Sequence, residues 1–187
     1  MTDEIIESLP EKLSGHRCKL NKASYDDANK QYMRESNITV IHFDKIPNEY
    51  TRGRGWSFGP KSNDALYIDK NRHWYFIEFK NGGINTGDIY RKIYDSLLML
   101  LEWGIIPNLD FVRSNITYIL VYNEVKYEEC CPARNQTYNY IAGLAQRETR
   151  LFGIDKFEQY LFYKTHTYTK EEFNIKFVQI KEQEEAN

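Results

Sequence analysis

Apolar positions along the chain change period several times, and each change marks an element. Ala65-Leu66-Tyr67-Ile68 and His73-Trp74-Tyr75-Phe76-Ile77-Glu78-Phe79 flank the polar stretch Asp69-Lys70-Asn71-Arg72. Two β-rich runs around a short polar turn predict a β-hairpin. Asn81-Gly82-Gly83 ends its second strand. Ile89, Ile93, Leu97, Leu100 and Leu101 then recur at helical spacing, the stripe of an amphipathic helix. Thr86 is placed to cap it, Asp88 suits the positive end of its dipole, and Gly104 and Pro107 stop it near Trp103. Ile116-Thr117-Tyr118-Ile119-Leu120-Val121-Tyr122 is almost wholly apolar, which predicts a strand covered on both faces.

The flanking regions are patterned more weakly. Ser24 to Ser36 carries Ala28, Tyr32 and Met33 at helical spacing behind a capping Ser24, so a helix is predicted. Asn37 to Phe43 is β-branched and reads as a strand. Residues 47–63 hold Pro47, Gly53, Gly55, Gly59 and Pro60 and read mainly as loop. Beyond residue 125 the chain reads as mostly helical, over Asn135 to Leu151 and Asp155 to Tyr163, and Thr169-Lys170-Glu171-Glu172 forms a capping box for a last short helix. The expected order is helix, strand, hairpin, helix, strand, then helices. That is an α/β fold with a mixed central sheet, one domain over 1–187, with a core at 24–122 and a helical extension at 125–187.

Composition narrows the class. In 187 residues, 41% are hydrophobic and 15% aromatic, too many for a disordered chain. The longest apolar run, Leu97 to Leu101, is too short to span a bilayer, so no membrane partner is expected. Acids follow Met1 where a signal peptide carries lysines, and Cys18, Cys130 and Cys131 lack metal-ligand spacing. A cytoplasmic setting is the expectation. The net charge of −2 excludes a strongly basic nucleic-acid binder. Residues 51–92 nevertheless hold Arg52, Arg54, Lys61, Lys70, Arg72, Lys80, Arg91 and Lys92 against four acids. That window is expected to form one basic patch, with Arg91 and Lys92 on the polar face of their helix, free to meet phosphates.

The hairpin also concentrates chemistry. If Asp69 lies opposite His73, Asp64 lies opposite Glu78, and opposed residues share a face about 5 Å apart. Glu78 and Lys80 share that face as well, being two apart on one strand. Two carboxylates and an ammonium are thus expected at one spot. Paired carboxylates repel unless a hard cation joins them, and such oxygen donors suit Mg²⁺ or Mn²⁺. A cation there polarises a phosphoryl oxygen and acidifies water, and a neighbouring lysine stabilises developing charge. A lysine simply bridging the two acids at an exposed hairpin end would show the same spacing. Acid-x-Lys also arises by chance: Glu124-Val125-Lys126 repeats it, with Asp110 at the same interval upstream. Asp110 and Glu124 flank a single strand, however, roughly 20 Å of extended chain.

Asp64, an apolar strand, a turn and Ile77-Glu78-Phe79-Lys80 before a helix resemble the PD-(D/E)XK superfamily, the restriction-endonuclease-like fold. The resemblance covers residues 24–122. It implies that Asp64 and Glu78 bind the metal with the Phe79 carbonyl, and that Lys80 assists the attacking water. It also implies DNA or RNA as partner, while homodimerisation stays open. Asn63 stands where the family's motif has proline, and Glu35 is the nearest candidate for an acid that some members place on the first helix. The basic residues Arg52, Arg54, Lys61, Arg91 and Lys92 are the expected nucleic-acid contacts. Two functions follow: a metal-dependent nuclease, or a nuclease-fold module that binds nucleic acid or protein without turnover.

Overall fold

The computed structural model describes residues 2–26, 29–130 and 151–186. Its frame is a six-stranded mixed sheet, in the order β1-β4-β5-β6-β7-β8. These strands are β1 (Arg17–Lys19), β4 (Thr39–His42), β5 (Ala65–Ile68), β6 (Trp74–Lys80), β7 (Ile116–Tyr122) and β8 (Lys164–Thr169). The first four pair antiparallel in succession, whereas β6, β7 and β8 run parallel. A separate ribbon pairs β2 (Tyr25–Asp26) with β3 (Gln31–Tyr32).

The hairpin forms in the expected register, with Ala65 opposite Ile77 and Ile68 opposite Trp74. Its turn closes through Asp69 N–H to the His73 carbonyl at 3.0 Å, with Arg72 in the left-handed region at φ 60°. Strand β7 is buried along its whole length, as its composition requires of a strand paired on both sides and covered on both faces.

Helix α5 (Thr86–Glu102) buries Ile89, Ile93, Leu97 and Leu100 against one sheet face. Asn85, rather than Thr86, caps it, its side chain accepting from Gly87 N–H and Asp88 N–H. Leu66, Phe76, Tyr118 and Leu120 meet α5 from the sheet, and Ile6 and Leu13 join them from α1 (Thr2–Glu7) and α2 (Glu11–Ser14). The opposite face, with Val40, Tyr67, Ile77 and Val121, packs on Phe173, Phe177 and Val178 of the C-terminal helical segment and on Leu20 and Ala23 of α3 (Leu20–Ala23). Sheet and helices therefore make three layers around two cores.

Three expectations fail. Ser24 to Ser36 is no helix: Ser24 Oγ donates to the Arg34 carbonyl at 2.8 Å, and the segment doubles back as the β2–β3 ribbon. Only three apolar residues carried the helical reading, and Lys30 at φ 52° turns the chain instead. Asp155 to Tyr163 holds a single 3-10 turn over Asp155–Phe157. The element order after β7 also departs from helices alone, because β8 adds a parallel strand at the sheet edge. Its Lys-Thr-His-Thr-Tyr-Thr sequence hides the β signal in polar but β-branched threonines. The loop at 47–63 begins with α4 (Ile46–Thr51). The capping box does form, with Glu172 N–H donating to Thr169 Oγ1 at 3.1 Å. The helix expected over Asn135 to Leu151 lies outside the described residues, apart from Leu151. No helix among the described residues is long and apolar enough to cross a membrane.

Candidate functional site

Asp64 stands one residue before β5. Its N–H donates to the Ile77 carbonyl at 3.2 Å, and its carbonyl accepts from Phe43 N–H at 2.9 Å. Continuing the hairpin register places Asp64 opposite Glu78, and the Phe79 N–H reaches across to Asp64 Oδ2 at 2.6 Å. Glu78 is fully buried, with no exposed surface at all. The Lys80 ammonium lies 2.8 Å from Glu78 Oε1. The three residues expected to carry chemistry do converge.

Lys92 was expected in solvent, and this is the main correction. It lies in the second turn of α5, beside rather than opposite the apolar stripe, and its stem carries the ammonium inward. Its Nζ sits 2.9 Å from Asp64 Oδ1, 2.8 Å from Glu78 Oε1 and 3.0 Å from Glu78 Oε2. Only Oε2 receives an aligned hydrogen bond; Oε1 is held by the two ammoniums through close ion pairs. The two carboxylates are thus near enough for one cation to join, and an ammonium joins them.

A further carboxylate completes the cluster. Asp44, just past β4, accepts from Ser62 Oγ at 3.1 Å. Burial and the Asp64 charge push its carboxyl up to about 6, against the pull of Lys92. Burial and Asp64 likewise push Glu78 up to about 7, although Lys92 and Lys80 oppose them. Lys92 holds its proton more firmly than an ordinary lysine, because Asp64 and Glu78 outweigh the cost of burial. For both acids the loss of hydration is the larger cause and the Asp64 charge the smaller, with the neighbouring lysines opposing both. The buried Tyr118 hydroxyl has no hydrogen-bond partner and is pushed up by burial and by the same acids.

Comparison with family models, curated proteins and solved structures finds no match. The site is therefore judged on its own chemistry. Asp64 and Glu78 supply hard oxygen donors of the kind a divalent cation takes, at the position Lys92 fills. Mg²⁺ commonly takes one or two carboxylates and completes its shell with water and substrate oxygens. Among the described residues, no group of three or more His, Cys, Asp or Glu side chains is arranged as a ready-made metal site. Asp64 and Glu78 are the side chains whose oxygens could hold such an ion together.

The outer face of the site opens into a cleft of about 540 Å³, lined by Asp44, Asp64, Phe79 and Lys80 together with Lys22 and Lys45. The expected basic patch does not surround it. Arg52 pairs with Glu49 at 2.7 Å and Arg91 with Asp95 at 3.3 Å. Lys61 pairs with Asp88 at 2.5 Å. Arg54 pairs with Glu102 at 2.7 Å and lies over the Tyr50 and Trp56 rings. A window counted along the chain misses Asp95 and Glu102, which return to neutralise it in space. Glu35 lines a different cleft and lies outside the carboxylate cluster. Asp44, Lys22 and Lys45 escaped the sequence reading, because each sits in a short segment with no motif.

Proposed function

We propose that the chain is a metal-dependent nuclease that hydrolyses phosphodiester bonds through Asp64, Glu78 and Lys80. The observation carrying this reading is the hairpin register that sets Asp64 opposite Glu78, with both carboxylates around one cation position. The resemblance of Asp64 and Glu78-Phe79-Lys80 to the PD-(D/E)XK pattern, and the compatible α/β sheet, add to it. Mg²⁺ or Mn²⁺ would be held by Asp64, Glu78 and the Phe79 carbonyl, and would supply Lewis acidity toward a phosphoryl oxygen and toward water. Lys80 is placed to stabilise developing negative charge, with its ammonium oriented by Glu78. Lys22 and Lys45, on the cleft wall, suit phosphate contacts. Neither Trp56 nor the C-terminal helices are among the described residues lining the cleft.

One observation favours a second reading. Lys92 already occupies the position between the carboxylates, as it would in a nuclease-fold module that binds its partner without turnover. Mn²⁺ calorimetry beside cleavage assays on single- and double-stranded DNA and RNA separates the two. Asp64→Ala and Glu78→Ala should each abolish metal-dependent cleavage. Lys80→Ala should still bind Mn²⁺ but cut about 10²–10³-fold more slowly. Wild type that neither binds Mn²⁺ nor cuts any substrate would refute the nuclease and leave the module.

A further inference from the structure

Beside the carboxylate cleft the β2–β3 ribbon carries a pair of aromatic rings that belong to neither core. Tyr25 and Tyr32 are cross-strand partners with ring centroids 4.9 Å apart, yet they remain 40% and 45% exposed. A ribbon of two-residue strands does not hold itself together. It is fastened to the site: Asn81, the residue after Lys80, donates from Nδ2 to Asp26 Oδ2 at 2.6 Å, and Met33 N–H donates to the Ser24 carbonyl at 2.9 Å.

A second cleft, of about 640 Å³, opens on the far side of the ribbon, and Met33 borders both clefts. Three side chains on its wall carry a buried polar atom with no hydrogen-bond partner: Gln31 Nε2, Arg34 Nε and Asn174 Oδ1. Orphaned buried polar atoms are costly, and native structures keep few of them. Asn174 begins a π-helical turn, Asn174–Val178, a distortion often found at functional sites. Lys170 adds a cation to the wall, while Glu35 and Glu171 balance the charge.

We infer, resting on the nuclease reading, that the substrate is single-stranded nucleic acid laid across this ribbon. Its bases stack on Tyr25 and Tyr32, and the strand continues from the carboxylate cleft into the cleft of Gln31, Arg34, Lys170 and Asn174. Exposed rings suit unpaired bases, because every base offers a face to stack while a duplex keeps its faces covered. The amides and the Arg34 guanidinium suit phosphate oxygens and base edges. With so little net charge at the second cleft, affinity should fall only shallowly with salt.

The test is fluorescence anisotropy with labelled single-stranded DNA, single-stranded RNA and duplex DNA in EDTA, so that binding is read apart from metal and turnover. Wild type should prefer a single strand to duplex. Tyr25→Ala and Tyr32→Ala should each weaken single-strand binding about 5- to 100-fold, with Tyr32→Phe restoring it. Arg34→Gln should weaken it as well, and Mn²⁺ titration of all four variants should match wild type. Duplex bound as tightly as single strand, or a Tyr25→Ala/Tyr32→Ala double variant that binds single strand like wild type, would overturn the inference. Failure of Mn²⁺ binding in wild type would instead strike the nuclease reading, and the EDTA measurement would still decide the platform.

Discussion

The two ends of the β5–β6 hairpin each bury a carboxylate beside a lysine from a helix, and they treat it in opposite ways. At the turn, Asp69 accepts from Asn71 N–H at 2.9 Å and from His73 N–H at 3.0 Å through Oδ1. Its Oδ2 accepts from Tyr75 OH and from Lys181 Nζ, each at 3.1 Å. Burial alone would push Asp69 up, but these partners hold it below its ordinary value. At the open end, Glu78 is buried deeper and shares its lysine with Asp64, so it is pushed up to about 7. One carboxylate with four donors is a finished structural joint that pins the C-terminal helix to the hairpin. At the open end Asp64 and Glu78 share Lys92, and buried Glu78 keeps a raised proton affinity, a perturbation of the kind found where carboxylates do chemistry.

The largest contrast should come from deleting the lysine at each end. Lys92→Met strips the open end of its bridging charge and leaves buried Glu78 with Lys80 alone. Unfolding in urea at neutral pH should show a loss of about 3 kcal/mol, because breaking a buried ion pair strands its partner. Under the nuclease reading Mn²⁺ should bind this variant more tightly than wild type and restore its stability by mass action. A Lys92→Met protein that gains no Mn²⁺ affinity would place the site with the module reading.

The hairpin that creates this comparison was legible in the sequence because its turn and its apolar runs leave one sensible register. The α5 stripe and the all-apolar β7 were legible for the same reason, since burial imposes a period. The ribbon at residues 25–32 was not: two-residue strands carry no period, and Tyr32 with Met33 mimicked a helix face. Strand β8 was missed because threonines fill its buried positions, Thr165 and Thr167 among them. At the site, Asp64, Glu78 and Lys80 followed from register, whereas Asp44 and Lys92 required three dimensions. Nothing local distinguishes Lys92 from Arg91, yet one ammonium enters the carboxylate cluster while Arg91 stays half exposed beside Asp95. The basic window failed for a related reason, since acids just outside it, Glu49 and Asp95, and one farther along the chain, Glu102, pair with its arginines.

Lys181→Met makes the matching cut at the turn, and its effect should be smaller. Asp69 keeps the Asn71, His73 and Tyr75 donors, so the expected loss is about 1–2 kcal/mol. Mn²⁺ should restore none of it. The C-terminal helix should also loosen, which hydrogen exchange at Phe177 and Val178 would register, because Lys181 is its buried link to the hairpin. Rescue by Mn²⁺ here would mean that the two ends are not chemically distinct.

The last contrast is a difference in pH dependence, spread over several pH units, and it has opposite signs at the two ends. Glu78 moves from an ordinary 4.5 to about 7, so between those values the metal-free native state holds a proton that the unfolded chain has released. Stability from that proton is complete below 4.5 and is lost as pH rises through 7. Asp44, raised to about 6, acts in the same direction. Asp69 is held below its ordinary 3.8, so it contributes stability above that value and loses it as pH falls further. Each proton contributes a slope of at most about 1.4 kcal/mol per pH unit. Urea unfolding of the metal-free protein should therefore show a falling limb toward neutral pH that Glu78→Gln flattens, and an acid limb that Asp69→Asn flattens. Under the nuclease reading, saturating Mn²⁺ should remove the first limb and leave the second, because only the open end would exchange its proton for a metal. If Glu78→Gln leaves the neutral limb unchanged, the extra proton does not reside on Glu78, and the contrast between the two ends fails.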